Sequence, residues 1–422
     1  MRGWFVLFAF TIGVGGAFAL LTALSRTPVV FEYLPTEFFH HWLVGHVVLA
    51  LVFGLYFFLI FLWHRVFGAQ GRKYEVLLAL GAVVLVGISA GLGSGKPVQN
   101  NYFPTILDPI FFAGAGLFGL TLLLTSLRFG WISFRQMSFR DPIRITLSVG
   151  IILSLMVLFS TGWSLQDYSA PLEPAVLLER IYWFPGHIHQ FVNASLLMSL
   201  WFLLVRLSGS SVPLPVASLS ILLLGFPAYF IYLQVIGTDP LSSTAHQMTT
   251  LGYQAGIGIP TILVGIYLLV FRSFRRNAYS FILGLSLVLY GGGALTGYLI
   301  AGSDLRIPAH YHGVLASILI AIMGLSYYFL KDLRFSDKVS SLIRWQPALY
   351  GLGMILFSSA LFWAGYFGAP RKVPGTDYIS DYQLLAFLGL MGAGSVLSVF
   401  GGVIYVLYIL KSVILGWRVS RA

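Results

Sequence analysis

A succession of long apolar runs limits the fold of this chain more than any other feature of its sequence. A bilayer core of about 30 Å is crossed by about 20 helical residues, and twelve runs reach that length. They cover approximately residues 4–24, 39–63, 75–93, 109–127, 143–162, 186–206, 216–236, 247–271, 280–301, 308–330, 347–368 and 383–410. With 58% hydrophobic and 9% charged residues, the chain is too apolar for a soluble protein. We predict an all-α polytopic membrane protein, with residues 1–422 forming a single membrane domain.

The charged residues indicate the orientation of these spans. If the N-terminus lies in the cytoplasm and the spans alternate, 19 of the 25 Lys and Arg residues fall on the inner side. Of the 14 acidic residues, 10 fall on the outer side. This is the distribution that the positive-inside rule requires, so both termini are predicted to be cytoplasmic. The net charge of +11 then reflects inner loops that face anionic membrane lipid, and we expect no nucleic-acid partner.

Histidines are concentrated on the outer side of this topology. Eight of the nine lie there, namely His40, His41, His46, His187, His189, His246, His310 and His312, whereas His64 lies at the inner end of the second span. Imidazole is a common metal ligand, and an ionisable residue within a membrane span marks a functional site by default. Because separate segments bring histidines to one layer, the sequence predicts a metal centre near the outer face.

The spacing of two histidines on the tenth span suggests more than one centre. His310 and His312 are two residues apart, so on a helix their side chains point about 200° apart and can serve sites on opposite sides. His46 lies in the second span, roughly 10 Å below its outer end at 1.5 Å per residue. Two imidazoles from different helices can hold a six-coordinate haem iron, whereas one imidazole leaves a position for a gas ligand. His187 and His246 remain available for a further metal.

Six short motifs occur in order along the predicted spans. They are Trp183-Phe184-Pro185-Gly186-His187, Ala245-His246-Gln247-Met248, Ile259-Pro260-Thr261, Gly292-Gly293-Ala294-Leu295-Thr296-Gly297, Ala309-His310-Tyr311-His312 and Gly368-Ala369-Pro370-Arg371-Lys372. Together they resemble motifs of cytochrome oxidase subunit I in the haem–copper oxidase superfamily. The segment Tyr102-Phe103-Pro104 is similar to the B-type branch of that superfamily.

The resemblance implies two haem sites, and we expect both haems to be of the b type. His46 and His312 would be the axial pair of a low-spin haem, with His40 and His41 as rivals to His46. His310 would be the sole protein ligand of a high-spin haem. Two further residues, Arg371 and Lys372, would pair with haem propionates.

The resemblance also implies a second metal, copper or non-haem iron, facing the high-spin haem. His187 and His246 would bind it, but the family has a second histidine where this chain has Gln247. Gln247 and His189 are possible substitutes, although His189 points away from His187 if the helix is regular. Phe191 stands where many oxygen-reducing members carry a tyrosine linked to a metal-ligating histidine. Tyr253, on the segment after His246, is a possible replacement for that tyrosine.

The function implied by the resemblance is that of a membrane respiratory reductase, an oxidoreductase like the terminal oxidases. Electrons would pass through the low-spin haem to the high-spin haem and distal metal, where O2 is reduced. One alternative is a nitric oxide reductase or another NO-transforming homologue. The other is a non-catalytic haem electron-transfer or sensor subunit with a decayed distal metal site.

The composition and the family together suggest partners and a location. The chain has no cysteine, which excludes disulfides, a thiolate metal site, a dinuclear copper centre and a covalently attached c-type haem. A separate donor subunit, or a soluble cytochrome or cupredoxin, would therefore deliver electrons on the outer side. The expected location is the cytoplasmic (inner) membrane of a prokaryote.

Overall fold

The computed structural model of the chain describes residues 1–25, 30–136, 140–166, 172–270, 277–300, 302–371, 373 and 381–419. Within these ranges, twelve helices are long and apolar enough to cross a membrane, which confirms the predicted fold class. Their bounds are α1 Arg2–Leu24, α2 Phe39–Phe67, α3 Lys73–Leu92, α4 Pro109–Arg135, α5 Pro142–Ser164, α6 Pro174–Leu207, α7 Leu214–Val235, α8 Ser243–Val270, α9 Ala278–Tyr298, α10 Arg306–Asp332, α11 Leu342–Tyr366 and α12 Tyr382–Val419.

The helix ends follow ordinary capping chemistry. Asp108 and Asp141 precede a proline at the first turns of α4 and α5, and each carboxylate accepts a backbone N–H of its helix. Helices α2 and α3 end at Gly68 and Gly93, whose φ angles of 69° and 67° lie in the left-handed region that favours glycine. Twelve crossings place both termini on the same side of the membrane.

Helix α6 begins earlier than the predicted span. The apolar run was expected to start at residue 186, but the helix begins at Pro174, on the outer side. The first turns contain Glu179 and Arg180, so they are too polar for a hydropathy pattern to include them. His187 therefore lies well inside a continuous helix and not at its first turn.

Three helices form the centre of the bundle. Of the most apolar stretch of each helix, 78% is buried in α2, 89% in α6 and 78% in α10, compared with 56% or less in the other nine described helices. These three helices also carry His46, His187 and the pair His310 and His312. The interior of the protein thus coincides with its histidine-bearing helices.

Two segments of the spans are wound more loosely than an α-helix. Residues Val47–Gly54 of α2 and Gly252–Gly258 of α8 are π-helical. The first segment follows His46 directly, and the second contains Tyr253. Such wide turns occur frequently at functional sites, because they re-aim the side chains of neighbouring turns.

A short β-hairpin lies between α3 and α4 on the outer side. Strand β1, Lys96–Val98, pairs antiparallel with strand β2, Thr105–Leu107. Asp108, which follows strand β2, anchors the end of the hairpin. Ser89 and Ser94 donate hydroxyl hydrogen bonds of 2.7 and 3.0 Å to its carboxylate. These bonds, that of Ser89 above all, hold the pKa of Asp108 below its usual value.

Candidate functional site: three haem-type histidines and a tyrosine-bonded histidine

His46 is fixed by helix α1. Its Nδ1 lies 3.1 Å from the carbonyl oxygen of Gly15, and a carbonyl only accepts, so Nδ1 carries the proton. A methyl group added to Gly15 would lie 2.8 Å from the backbone nitrogen of Ala50. The two helices therefore approach closely at Gly15, and this contact brings the carbonyl within reach of the imidazole.

His312 is fixed by its own helix. Its Nδ1 donates to the carbonyl oxygen of Pro308, one turn earlier, at 2.7 Å. The rings of Tyr311 and Phe357 lie 4.7 and 4.9 Å from the imidazole, centre to centre. His46 lies close enough to His312 for the two imidazoles to interact electrostatically. The structure thus brings the two proposed axial ligands of the low-spin haem into one neighbourhood.

His310 is held from the other side of α10 by helix α9. Its Nδ1 donates to the carbonyl oxygen of Gly293 at 2.7 Å. Close packing makes this bond possible, since a methyl group at Gly293 would lie 2.6 Å from the backbone nitrogen of Val314. Gly297 faces the imidazole itself, where an added methyl group would lie 2.6 Å from Nδ1. The glycine-rich motif of α9 therefore sets the position of this ring.

His46, His310 and His312 share one pattern. Each donates from Nδ1 to a backbone carbonyl, is half-buried, and has no hydrogen-bond partner for Nε2 among the residues that the structure describes. A backbone bond at one ring nitrogen that fixes the tautomer and leaves the other as a ligand is the usual arrangement of metal-bound histidine. These three side chains, the haem-type histidines, fit the haem roles that the sequence predicts.

His41, one of the two rival histidines at the start of α2, does not share this pattern. His41 is buried, and its Nε2 lies 3.0 Å from the carbonyl oxygen of Gly95. Its Nδ1 is buried without a hydrogen-bond partner. His40 lies edge-on to the ring of Phe39. His46 shares the pattern of His312, and His41 does not.

His187 differs from the three haem-type histidines because both of its nitrogens are bonded. Nδ1 donates to the carbonyl oxygen of Trp183 at 2.6 Å, and Nε2 lies 2.8 Å from the hydroxyl of Tyr102. The side chain is buried, with 3% of its surface exposed. Since Nδ1 carries the proton, the lone pair of Nε2 accepts the O–H of Tyr102.

Two other aromatic rings pack against His187, and one of them also packs against the exposed His246. The indole of Trp183 packs against both imidazoles, with ring centres 4.8 Å from His187 and 4.1 Å from His246. The ring of Tyr253 stacks on His187 at 4.8 Å. The hydroxyl of Tyr253 is buried next to Tyr102 and has no hydrogen-bond partner of standard geometry.

The β-hairpin holds Tyr102 against helix α6. The Asn100 side-chain oxygen accepts the backbone N–H groups of Tyr102 and Phe103 at 2.8 and 2.7 Å. A methyl group at Gly186 would lie 2.2 Å from the Tyr102 side chain, so only glycine lets this ring approach. Burial raises the pKa of the Tyr102 phenol, which therefore keeps its proton at neutral pH.

The possible substitute ligands lie elsewhere. The ring of His189 stacks on Tyr56 at 5.2 Å, and its nitrogens face the Tyr56 hydroxyl and the Asn193 amide. Gln247 is exposed on the first turns of α8. Among the described residues, no three His, Asp or Glu side chains are grouped so that they could hold a metal ion. The residues present do not fit the second metal.

Of the two proposed propionate partners, Arg371 lies among the described residues. Arg371 lies on the outer side and donates to the side-chain oxygen of Asn101 at 3.1 Å, beside the β-hairpin. Lys372 lies outside the described residues. The role of Arg371 stays a prediction.

A buried cluster on the inner side had no counterpart in the sequence analysis. Arg128 forms an ion pair with Glu75 at 2.8 Å and lies 3.0 Å from Nε2 of His64. Glu75 is fully buried, and His64 is 1% exposed. Only the unusual presence of a charge within the α3 pattern could have indicated this cluster, because its members lie on three helices.

The fold defines a class first: an integral membrane protein of twelve helices, whose three central helices carry histidines. Comparison with known families then shows which one. Residues 1–404 match the family described as "Cytochrome C and Quinol oxidase polypeptide I", so the chain belongs to the subunit I family of haem–copper oxidases. This confirms the resemblance seen in the motifs.

Two relatives extend the comparison to whole chains. An uncharacterized protein of Aquifex aeolicus (strain VF5) is 42% identical over 82% of this chain and 88% of its own length. An uncharacterized protein of Rickettsia prowazekii (strain Madrid E) is 26% identical over 96% of this chain and 94% of its own length. Both relatives align with most of the chain, and neither has an assigned activity.

Proposed function

We propose that this chain is a membrane respiratory oxidoreductase with two haem sites that reduces a small gas, O2 in the first instance. One site would be held by His46 and His312, and the other by His310. The haems, when bound, would supply electron transfer at the two-ligand site and gas binding at the one-ligand site. The proposal rests on the pattern that the three imidazoles share. In each, Nδ1 is hydrogen-bonded to a backbone carbonyl, and Nε2 has no hydrogen-bond partner among the described residues.

The chain's own residues would orient the iron ligands. The carbonyls of Gly15, Pro308 and Gly293 fix the tautomers, which makes each Nε2 a lone-pair donor and raises its basicity. The half-buried position of each ring exposes that lone pair without hydrating the whole side chain. Electrons would come from an outer donor, a separate subunit or a soluble cytochrome or cupredoxin, because the chain lacks cysteine for a copper or c-type haem relay. The membrane would be the cytoplasmic membrane of a prokaryote.

The second candidate function is electron transfer or sensing without gas reduction. The Tyr102–His187 bond favours it, since His187 is the residue that the family would use for the second metal. Nitric oxide as the substrate is a further alternative within the first function.

Carbon monoxide binding separates these functions. The purified full-length chain is reduced and titrated with CO while its haem spectrum is recorded, and consumption of O2 and NO is then measured with an artificial donor. We expect one haem to bind CO and the other to remain six-coordinate, with consumption of one gas. CO binding without consumption of either gas would support the sensor or electron-transfer function. A protein without haem would contradict the proposal.

A further inference from the structure

The hydrogen bonds around His187 have a single possible direction. The carbonyl of Trp183 accepts only, so Nδ1 of His187 is the donor of the 2.6 Å bond between them. In the neutral imidazole, Nε2 is then an acceptor, and the Tyr102 hydroxyl at 2.8 Å is its donor. Both ring nitrogens are satisfied by protein groups.

A metal ion would compete for the same lone pair. Metal–imidazole bonds are about 2.0–2.1 Å long and use the unprotonated nitrogen, which here accepts a hydrogen bond from the Tyr102 hydroxyl. The indole of Trp183 also packs against both His187 and His246. A metal ion at Nε2 of His187 would have to displace the Tyr102 hydroxyl.

Tyr102 is built into this position and does not merely reach it. Asn100, which is 5% exposed, fixes the backbone on either side of the ring through two hydrogen bonds. Gly186 admits the ring at a distance that no other residue allows. The antiparallel pairing of β1 with β2 closes the loop that carries it.

Tyr253 completes the group. Its ring lies almost parallel to His187, at an angle of 27° and a distance of 4.8 Å. Its buried hydroxyl lies next to that of Tyr102. The three side chains come from the β-hairpin, α6 and α8, so they connect three separate parts of the fold.

We propose that a buried group takes the place of the family's second metal, and that the chain binds no metal besides its haem iron. In this group Tyr102 donates a hydrogen bond to His187, and the ring of Tyr253 stacks on the same imidazole. Where the family would place an ion, this chain presents a phenol bonded to an imidazole. The inference deepens the proposed function, since it concerns the distal side of that site. The group itself is a property of the protein and is measurable without haem.

The first experiment reads the tautomer of His187 directly. Full-length protein labelled with 15N-histidine is studied in lipid by solid-state NMR, and His187→Gln identifies the signal. We expect a protonated Nδ1 and an unprotonated, hydrogen-bonded Nε2. Tyr102→Phe should shift the Nε2 signal to that of an unbonded nitrogen. Tyr182→Phe, a neighbouring tyrosine whose ring contacts Phe103, should leave it unchanged. An unchanged signal in Tyr102→Phe would overturn the proposal.

The second experiment counts metals in the same preparations. Copper, zinc and iron are measured together with haem, and we expect no metal beyond haem iron. One copper or non-haem iron per chain that is lost in His187→Gln would overturn the proposal, as would loss of the His187 signal on adding copper. Where His187→Gln fails to fold, the milder Tyr102→Phe and Tyr253→Phe variants carry the test. Protein without haem but with the expected His187 signals would sustain this inference and contradict the proposed function.

Discussion

His187 of α6 and the haem-type histidines of α2 and α10 make the same hydrogen bond at one ring nitrogen. They differ at the other ring nitrogen. All four donate from Nδ1 to a backbone carbonyl. At Nε2, His46, His310 and His312 have no described partner, whereas His187 accepts from Tyr102. The difference teaches that a matching motif does not fix a ligand: the partner of the second nitrogen decides it.

The two regions also differ in what surrounds the ring. The haem-type histidines are half-buried, while His187 is enclosed by Trp183, Tyr102 and Tyr253. Enclosure satisfies a neutral imidazole, and partial exposure leaves a lone pair for a ligand. The following variants break or sharpen this comparison.

The largest effect is expected from His312→Ala. It removes one of the two imidazoles of the proposed six-coordinate site, so we expect loss of one of the two haems and of the low-spin spectrum. His41→Ala is the matched control, because Nε2 of His41 is already bonded to the carbonyl oxygen of Gly95. This variant should retain both haems. Haem content and optical spectra measure both. An equal loss of haem in the two variants would contradict the role of His312 as an iron ligand.

His310→Ala should remove the other haem. We expect CO binding to disappear while the low-spin spectrum remains, because His310 and His312 point to opposite sides of α10. A CO titration of the reduced variant measures this result. Retention of full CO binding would exclude His310 as the ligand.

Gly297→Ala should shift the ring of His310 while leaving that residue itself unchanged. The added methyl group would lie 2.6 Å from Nδ1, so the ring must tilt and its bond to Gly293 must lengthen. We expect a changed high-spin spectrum and weaker CO binding. Gly284→Ala on the same helix is the control, since nothing lies within 4 Å of its added methyl group. That variant should match the parent, or be more stable by up to about 1 kcal/mol through helix propensity.

Tyr102→Phe should destabilise the distal region while leaving haem content unchanged. It leaves Nε2 of His187 buried without a partner, which costs about 1–3 kcal/mol. The midpoint of thermal unfolding in one detergent, compared with that of Tyr182→Phe, measures the loss. A large loss of haem in Tyr102→Phe would mean that the two regions are not independent.

The smallest effect is expected from Arg371→Gln. Removing a positive charge near a haem favours the oxidised iron, so the reduction potential should fall, by less than about 59 mV at this half-exposed outer position. A redox titration measures it, with Arg180→Gln, whose ion pair lies with Asp239, as the control. A rise in potential would contradict a propionate contact.

The sequence was sufficient for the architecture because hydropathy acts along the chain. The twelve spans, the family and the outer histidine layer follow from local patterns, and the structure and comparisons confirm the first two. The start of α6 at Pro174 was missed because Glu179 and Arg180 interrupt the apolar pattern.

The distal region could not be predicted in the same way. Tyr102 is 85 residues from His187 in the chain, and their bond depends on the β-hairpin and on Gly186. The motif around Tyr102 was visible, but no local pattern states which side chain it meets. The tautomers of the haem-type histidines likewise depend on carbonyls of other helices, such as those of Gly15 and Gly293.

The central claim is that His46, His310 and His312 bind haem while His187 binds no metal. The most direct test measures haem, iron and copper per purified chain in one preparation. The account predicts two haem irons, no copper and no non-haem iron. A preparation that folds in the membrane but contains no haem would contradict it.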